Sequence, residues 1–332
     1  MKKIFIRSPY FIEIDEEAQT TAKIEIFLWN KGASEPTTPN YTLSKNVPSI
    51  NQNKLSWNVA NYAKEYIQPI APVTVSVPTE ESADTWCYMR VVSYSDDVEV
   101  NDETFVCLNG YTIYSGGYNQ YSDDTTIPLV NTNIKLTTFS GFNYINVWLE
   151  EIDDYEWSST TSVSFFTPTS EGLWKLPYDY DNYDLSIGLE SIFGINTEQL
   201  CEPKYTPINC KFINRFGGWQ FLTFFKANSS SIDVTSKDFN MLPSSINYNV
   251  LQGQKRVFNS QGKQKIKCNT GWVDENYFDL IQDLLLSETV LLDNKPVIVK
   301  SQSSEYKTNI KDKNINYEIE FEYNFGLIND VI

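Results

Sequence analysis

The sequence contains no histidine, and this absence excludes much of enzyme chemistry. Histidine is the commonest general base, takes part in the usual acyl-transfer triads, and completes most transition-metal sites. The five cysteines do not compensate, because their number is odd and no two of them form a Cys-x-x-Cys pair. We therefore expect free, mostly buried thiols, no metal centre, no cofactor and no enzymatic activity.

Long apolar runs are also missing from the chain. No run approaches the roughly 20 residues that a membrane-spanning helix needs. Only three apolar residues stand between the two N-terminal lysines and Arg7, too few for the apolar core of an export signal. The sequence therefore predicts a protein that is made in the cytoplasm and does not contact a membrane.

Basic residues are scarce in the first three fifths of the chain. Residues 1–200 hold 11 Lys and Arg against 28 Asp and Glu, whereas residues 201–332 hold 15 of each kind. An acidic surface repels a phosphate backbone, so we expect no direct binding of nucleic acid. The densest group of cations alternates along the chain, as on the solvated face of a strand. Its alternating members are Lys263, Lys265 and Lys267, and Lys255 and Arg256 lie nearby.

Aromatic residues are abundant, with 21 tyrosines, 19 phenylalanines and 8 tryptophans. Together with many β-branched residues they favour strands over helices. The sequence predicts a mainly β protein of two or three β-sandwich-like domains. We place them at residues 1–95, 96–200 and 201–332, the second beginning at Asp96-Asp97. The first two can alternatively be halves of one larger sandwich.

Three local signals predict that the last region is an α+β domain. Residues 210–216 and 219–225 are aromatic alternating runs, and the Gly217-Gly218 pair between them suits a tight hairpin turn. Asp274 can cap an amphipathic helix that we expect to lie on a sheet. Its apolar stripe comprises Tyr277, Phe278, Leu280, Ile281, Leu284 and Leu285, with Asp283 on the polar side. Residues 315–323 alternate strictly between apolar and acidic or amide side chains, which predicts a strand.

These residues also carry a resemblance to a known group of proteins. Residues 201–208 read Cys-Glu-Pro-Lys-Tyr-Thr-Pro-Ile, and they are followed by Phe-Ile-Asn-Arg-Phe-Gly-Gly-Trp-Gln and Phe-Phe-Lys226. Further on come Thr-Gly-Trp-Val273, Leu-Ser-Glu288, Pro296-Val297 and the closing strand. In this order they resemble the carboxy-terminal region of virion structural proteins from tailed phages that infect Bacteroidota.

The resemblance covers residues 201–332 and implies a place in a virion rather than a reaction. It implies a component of the tail, such as a hub, a distal part or a connecting ring. Such a protein would assemble with copies of itself in a symmetric ring or hub and with other tail or neck proteins. It contains no catalytic signature, and it does not distinguish among these positions.

Two groups of aromatic residues are candidates for contact with partners. The hairpin carries aromatics on both faces, which predicts cover by its own core, a neighbouring domain or another subunit. The residues assigned to this assembly interface are Phe212, Phe216, Trp219, Phe221, Phe224 and Phe225. A tyrosine-rich loop is the second candidate, because exposed tyrosines bury a large area on binding. Its members are Tyr178, Tyr180 and Tyr183.

Other functions remain as alternatives. A carbohydrate- or receptor-binding module is the main one, since tyrosines and tryptophans stand beside acids in residues 1–200. A glycosidase needs only two carboxylates across a cleft, and residues 150–157 combine five acids with Trp148, Tyr155 and Trp157. Residues 179–184 offer oxygen ligands for calcium but lack the glycine and distal glutamate of an EF-hand. Acid runs are more often solvated loops.

Overall fold

A computed structural model describes residues 1–48, 53–113, 126–138, 143–150, 152–179, 181–199, 204–241, 251, 253–301 and 314–328. The protein is mainly β, as the sequence predicts. The strands that precede residue 200 are β1 Lys2–Phe5, β2 Phe11–Asp15, β3 Thr21–Trp29, β4 Tyr41–Asn46, β5 Lys54–Asn58, β6 Thr79–Glu80, β7 Trp86–Ser95, β8 Val98–Leu108, β9 Thr126–Pro128, β10 Leu136–Thr138, β11 Asn143–Leu149, β12 Tyr155–Ser159, β13 Val163–Phe166, β14 Gly172–Tyr178, β15 Tyr183–Ile187, β16 Glu190–Ile195 and β17 Thr197–Gln199.

The elements that follow are β18 Ile208–Ile213, β19 Trp219–Phe224, β20 Ser229–Asn240, β21 Lys255–Asp274, helix α1 Tyr277–Leu286, β22 Val290–Leu292, β23 Lys295–Val299 and β24 Asn314–Gly326. Two short 3-10 helices lie at Ala60–Glu65 and Ala83–Thr85. Within the described ranges, no helix combines the length and the apolar character that crossing a membrane requires.

The chain divides into two compact units. The first unit contains Met1–Glu202, Lys211–Leu222 and Leu286–Thr289, and the second contains Pro203–Cys210, Thr223–Leu285 and Val290–Ile332. Strands β18 and β19 therefore each pass from one unit into the other.

The first part of unit 1 is a sandwich-like pair of sheets around one core. A five-stranded sheet has the order β1-β8-β7-β3-β4, and the β2–β5 pair forms a second sheet. Residues of both, including Ile12, Ile24 and Trp57, belong to one buried cluster. The β7–β8 hairpin turns at Asp96 and Asp97, whose φ angles are positive. This sheet therefore extends past residue 95, and the division into three domains stays a prediction.

The second part of unit 1 contains two four-stranded sheets, ordered β6-β14-β11-β9 and β13-β12-β15-β16. They share a core that includes Val147, Trp157 and Leu185. Strand β11 is buried on both faces, because Val147 belongs to this core while Trp148 belongs to another cluster. Burial on both faces explains why this strand reads as an almost continuous apolar run.

Unit 2 contains the predicted helix and the predicted closing strand. Its strands belong to a seven-stranded sheet with the order β19-β18-β22-β23-β24-β21-β20. In β24 the predicted alternation is confirmed as far as Phe321, since Tyr317, Ile319 and Phe321 are buried while Glu318 is exposed. It fails at Glu322, which is buried and forms ion pairs with two lysines. This confirms the α+β character of the region.

Helix α1 differs from its prediction at its start, which lies too far from Asp274 for that residue to cap it, and at one buried residue. It begins at Tyr277, three residues after Asp274, and it buries Leu280 and Leu284 as predicted. Asp283 is also buried, although its position in the sequence placed it on the polar side. The helix therefore buries a wider part of its surface than a single apolar stripe. The side chain of Asp274 lies outside the described part.

Candidate assembly surface

The hairpin aromatics that sequence analysis assigned to an interface are mostly buried by the chain itself. Phe212, Trp219, Phe221 and Phe224 are buried, and Phe216 and Phe225 are half-buried. In unit 1 the ring of Phe221 meets Tyr144 edge-on, with centroids 5.0 Å apart. In unit 2 the ring of Phe224 meets Phe321 at 5.8 Å. These rings fill cores and offer little area to another molecule.

The turn of this hairpin is built around Asn214. Its carboxamide oxygen accepts hydrogen bonds from the backbone N–H groups of Phe216 at 3.0 Å and Gly218 at 3.1 Å. Its amide nitrogen donates to the carbonyl oxygen of Leu129 at 2.8 Å. A Cβ at Gly218 would lie 2.7 Å from that same carbonyl oxygen, so only glycine fits the close approach.

A buried polar network holds the start of β19. The backbone N–H of Trp219 donates to Asn146 Oδ1 at 2.8 Å, and Asn146 Nδ2 donates to Glu81 Oε2 at 3.2 Å. Glu81 Oε1 forms an ion pair with Lys175 Nζ at 2.9 Å. Burial, with a smaller effect of the Glu81 charge, raises the pKa of Tyr144. Every titratable member of this network therefore has a structural role, and none lies in an open cleft.

Two of the three tyrosines in the predicted surface loop are not exposed. Tyr178 and Tyr183 are buried, and Tyr183 stacks on Trp157 with ring centroids 5.1 Å apart. Tyr180 lies outside the described residues. The prediction of exposed contact residues is thus wrong for Tyr178 and Tyr183, because alternating aromatics here line the core of two sheets.

The oxygens proposed for calcium already accept hydrogen bonds from the protein. Asp179 Oδ1 accepts from the backbone N–H of Asp181, and Asn182 Oδ1 accepts from that of Thr197, both at 2.9 Å. Among the residues that the structure describes, no group of three or more His, Cys, Asp or Glu could hold a metal ion.

The acids considered for glycoside hydrolysis lack the aromatic platform that the sequence suggested. Trp148, Tyr155 and Trp157 are buried and cannot stack on a sugar. Glu150 Oε2 accepts a hydrogen bond from Lys3 Nζ at 2.7 Å. Burial acts to raise the pKa of Glu150, but hydrogen bonds, that of Lys3 foremost, outweigh it and lower the pKa. A general acid needs the opposite shift. Glu151 lies outside the described residues.

The thiols are buried, and sequence reasoning missed that two of them face each other. Cys87 and Cys107 are directly opposite across β7 and β8. Cys87, Cys107, Cys210 and Cys268 are free and buried, which confirms the prediction for these four. Burial raises the pKa of Cys268 to about 12. Cys201 lies outside the described residues.

The largest exposed element is a pair of long strands, which we call the arm. It consists of Ser229–Asn240, which is β20, and residues 255–267 of β21, paired antiparallel from Ser229↔Lys267 to Asn240↔Lys255. All twelve residues of β20 are exposed, and β20 is the edge strand of its sheet. From Lys263 onward β21 also pairs with β24, so only the half of the arm that lies beyond Lys263 is a two-stranded ribbon, a form that is marginally stable by itself.

One half of the arm has an aliphatic face and a charged face. Directly opposite residues of paired strands share a face. Ile232 and Val234 lie on one side and are 59% and 68% exposed. On the other side Lys265 Nζ pairs with Asp233 at 2.5 Å, and its hydrogen bond to Asp233 raises the pKa of Lys265. The alternating lysines are therefore a strand face, as predicted, and Lys265 is bound to an acid of its own chain.

The other half of the arm carries a group that we call the tip patch, consisting of Lys237, Phe239, Arg256 and Phe258. Lys237 is opposite Phe258, and Phe239 is opposite Arg256, so all four share one face. The two rings meet edge-on at 5.6 Å and are 47% and 41% exposed. Lys237 and Arg256 form no ion pair within the described ranges. The patch thus combines exposed aromatic area with two positive charges that no described acid compensates.

The tip patch was hard to predict because β21 contains an extra residue. The pairing shifts between Thr235 and Lys237, and Asn259 on the opposite strand has a positive φ of 48°. A bulge of this kind moves the following side chains to the other face of their strand. If every second residue of β21 is counted back from Lys263, Arg256 and Phe258 fall on the face opposite to that of Lys263. With the extra residue they lie on the same face as Lys263.

We compared the chain with known protein families, curated proteins and solved structures. No family model, no curated protein and no solved structure matches the chain.

Proposed function

We propose that this chain is a non-enzymatic structural protein of a tailed-phage virion, a component of the tail, its hub or a connecting ring. It acts through contacts with copies of itself and with other tail or neck proteins. The residue pattern of positions 201–332 supports the virion setting, and the arm supports the mode of action.

The single observation that carries this proposal is the exposed arm. Exposed apolar edge strands favour association and aggregation, and monomeric proteins normally shorten, charge or cover them. Here a twelve-residue edge strand displays Ile232, Val234 and Phe239 to solvent. Such an element is useful in a protein whose working state is an assembly, where another subunit covers it.

The charge distribution fits the same role. The excess of acids in residues 1–200 keeps that region soluble and repels nucleic acid. In a particle this region would face solvent, a channel through which the genome passes, or a basic surface of a neighbouring subunit. Each possibility requires surface complementarity alone, without a catalytic group.

Immunogold electron microscopy of virions tests the proposal. An antibody raised against the intact protein is applied to particles purified from a lysate, with a pre-immune serum as the control. Labelling of the neck or tail is the expected result. If mass spectrometry of the same purified particles fails to find the chain and no label appears, the virion assignment is refuted.

A carbohydrate- or receptor-binding module is the second candidate, and one observation favours it. Trp272 is 70% exposed and follows Gly271, whose φ is +72°. An exposed indole is a suitable platform for a sugar ring. A glycan array probed with the intact protein tests this function, with Trp272→Ala as the comparison. Binding that disappears in the variant would support it, and label at fibre tips on virions would agree.

A further inference from the structure

We propose that the tip patch of one copy docks on the outer face of the β13-β12-β15-β16 sheet of a second copy. This inference rests on the proposed function and names the contact through which copies would join. Both surfaces are exposed in the single chain, and both lie outside the cores described above.

The outer face of this sheet is a small grid of side chains. Phe165 is opposite Glu156, and Val163 is opposite Ser158, which is in turn opposite Asp184. The inner face of the same strands carries Tyr155 and Trp157, which are buried. Phe165 is 74% exposed, the largest exposure of any described phenylalanine. The outer face thus joins two apolar side chains at the sheet edge to two acids beside them.

The charges of the two surfaces are complementary. Lys237 and Arg256 have no acidic partner in the described part of the chain, and Glu156 and Asp184 have no basic one there. Asp184 Oδ1 accepts a hydrogen bond from Ser191 Oγ at 2.8 Å, which leaves its second oxygen for a cation. Each surface therefore offers two apolar residues and two charges, and the charges are positive on the tip patch and negative on the sheet.

The spacings of the two surfaces also agree. On both, neighbouring side chains are separated by about 4.7–4.9 Å across strands and by about 6.6–6.8 Å along a strand. When Phe239 covers Phe165, Arg256 lies one strand spacing away over Glu156, because each of these two charges is directly opposite its phenylalanine. Lys237 then lies over Val163, on the side of the sheet from which Asp184 is two strands away. Packing of one sheet on another at about 10 Å is a common arrangement for such faces.

The charges disfavour the simplest alternative, in which two tip patches meet face to face. That arrangement would offer Lys237 and Arg256 the rings and cations of the other tip patch but no acid. Four positive charges gathered without an acid weaken association, whereas the sheet face supplies two acids. The contact is therefore head-to-tail, and head-to-tail contacts close into rings or extend into filaments.

The size of the contact predicts how strong it is. The four apolar side chains expose roughly 400 Å², taking about 200 Å² for a fully exposed aromatic side chain. A stable interface buries roughly 1,600 Å² in total. One contact is thus weak and concentration-dependent. In a closed ring every copy makes two such contacts, which raises the stability of the assembly without new interactions.

Cysteine cross-linking tests the pairing directly. Full-length Phe165→Cys and Phe239→Cys proteins are mixed and oxidised under mild conditions, and each is also oxidised alone. We expect a cross-linked dimer in the mixture, with peptide mass spectrometry locating the bond between positions 165 and 239. The wild type controls for its native thiols. If the mixture, each variant alone and the wild type all give the same amount of cross-linked dimer, the proposal is overturned.

Charge reversal gives a second, independent test. The Lys237→Glu/Arg256→Glu protein and the Glu156→Lys/Asp184→Lys protein should each associate about tenfold more weakly in sedimentation velocity, since each reversal opposes like charges. In an equimolar mixture the two proteins should associate with each other, because their reversed surfaces again carry opposite charges. The Lys64→Glu/Lys295→Glu protein, which reverses two exposed cations elsewhere, should associate like the wild type. Circular dichroism checks that each variant is folded.

The outcomes separate this contact from the proposed function. If both double-reversal proteins associate as strongly as the wild type, the contact is overturned. Labelling of the virion tail would still leave the proposed function standing. A wild type that stays monomeric at its highest soluble concentration also overturns the contact. A chain that associates as described here but is absent from purified virions refutes the function alone.

Discussion

Replacing Lys175 by methionine should strongly destabilise unit 1, because it removes the partner of a buried carboxylate. Both Glu81 and Lys175 are 9% exposed, and their charged atoms are 2.9 Å apart. After the substitution, the hydrogen bonds that Glu81 keeps from the described residues are those from Asn146 Nδ2 at 3.2 Å and from the backbone N–H of Ser82 at 3.1 Å. The chain then buries a negative charge without a positive one.

The expected loss is about 3–5 kcal/mol of unfolding free energy, the usual cost of breaking one side of a buried ion pair. The Glu81→Gln/Lys175→Met protein should recover most of it, since neither charge remains. Lys135→Met is a matched control, because Lys135 forms an ion pair with Glu198 at the surface. Its Nζ lies 3.4 Å from Glu198 Oε2, and both side chains are about half exposed. That substitution should cost about 0–1 kcal/mol.

Urea unfolding followed by tryptophan fluorescence measures these differences. Seven of the eight tryptophans belong to unit 1 and one, Trp272, belongs to unit 2. A Trp272→Phe background therefore makes the signal report on unit 1. A loss in Lys175→Met no larger than that in Lys135→Met would refute the assignment of a strongly coupled buried pair.

Three other predictions follow from single residues. Gly218→Ala should lower the melting temperature by several degrees, since its Cβ would approach the Leu129 carbonyl oxygen to 2.7 Å; an unchanged thermal transition would contradict that approach. The pKa of Asp96 is lowered to about 2 by hydrogen bonds, first from the Thr20 hydroxyl. Its stabilising effect is complete above its unfolded pKa of about 4 and is lost as the pH falls toward 2, so Asp96→Asn should flatten the acid unfolding curve in that range. Iodoacetamide at neutral pH should leave Cys268 unmodified until urea unfolds the protein, as peptide mass spectrometry can show, because burial raises its pKa to about 12.

Much of the fold was predictable where one face of a strand or helix is buried and the other is wet. The alternation of Ile319 and Phe321 with exposed Glu318 follows from the local residue pattern alone, as does helix α1. A period of two or of 3.6 survives in the sequence because burial acts on one side of the element. The Asp96-Asp97 pair, which suggested a boundary, is instead a hairpin turn with positive φ at both residues.

The candidate site was less predictable, because it depends on partners that are distant in sequence. Tyr178 and Tyr183 look like an exposed loop until the strands that bury them are known. In the Asn146–Glu81–Lys175 network, Glu81 is 65 residues from Asn146 and farther still from Lys175. Asn146 and Lys175 come together only through the register of two paired strands, which no local pattern gives. The arm escaped notice for another reason: Ser229–Ser231 is not typical of strands, and the extra residue near Asn259 breaks the alternation.

The path of the chain through β18 and β19 bears on how the protein can be divided. Unit 1 includes residues 211–222, whose Asn214 and Trp219 bond to Leu129 and Asn146, as well as Leu286–Thr289. A fragment that stops at residue 200 loses these bonds and leaves Asn146 Oδ1 buried without its donor. The first 200 residues are therefore an incomplete body, and during synthesis unit 1 can finish folding only after the ribosome has passed the hairpin.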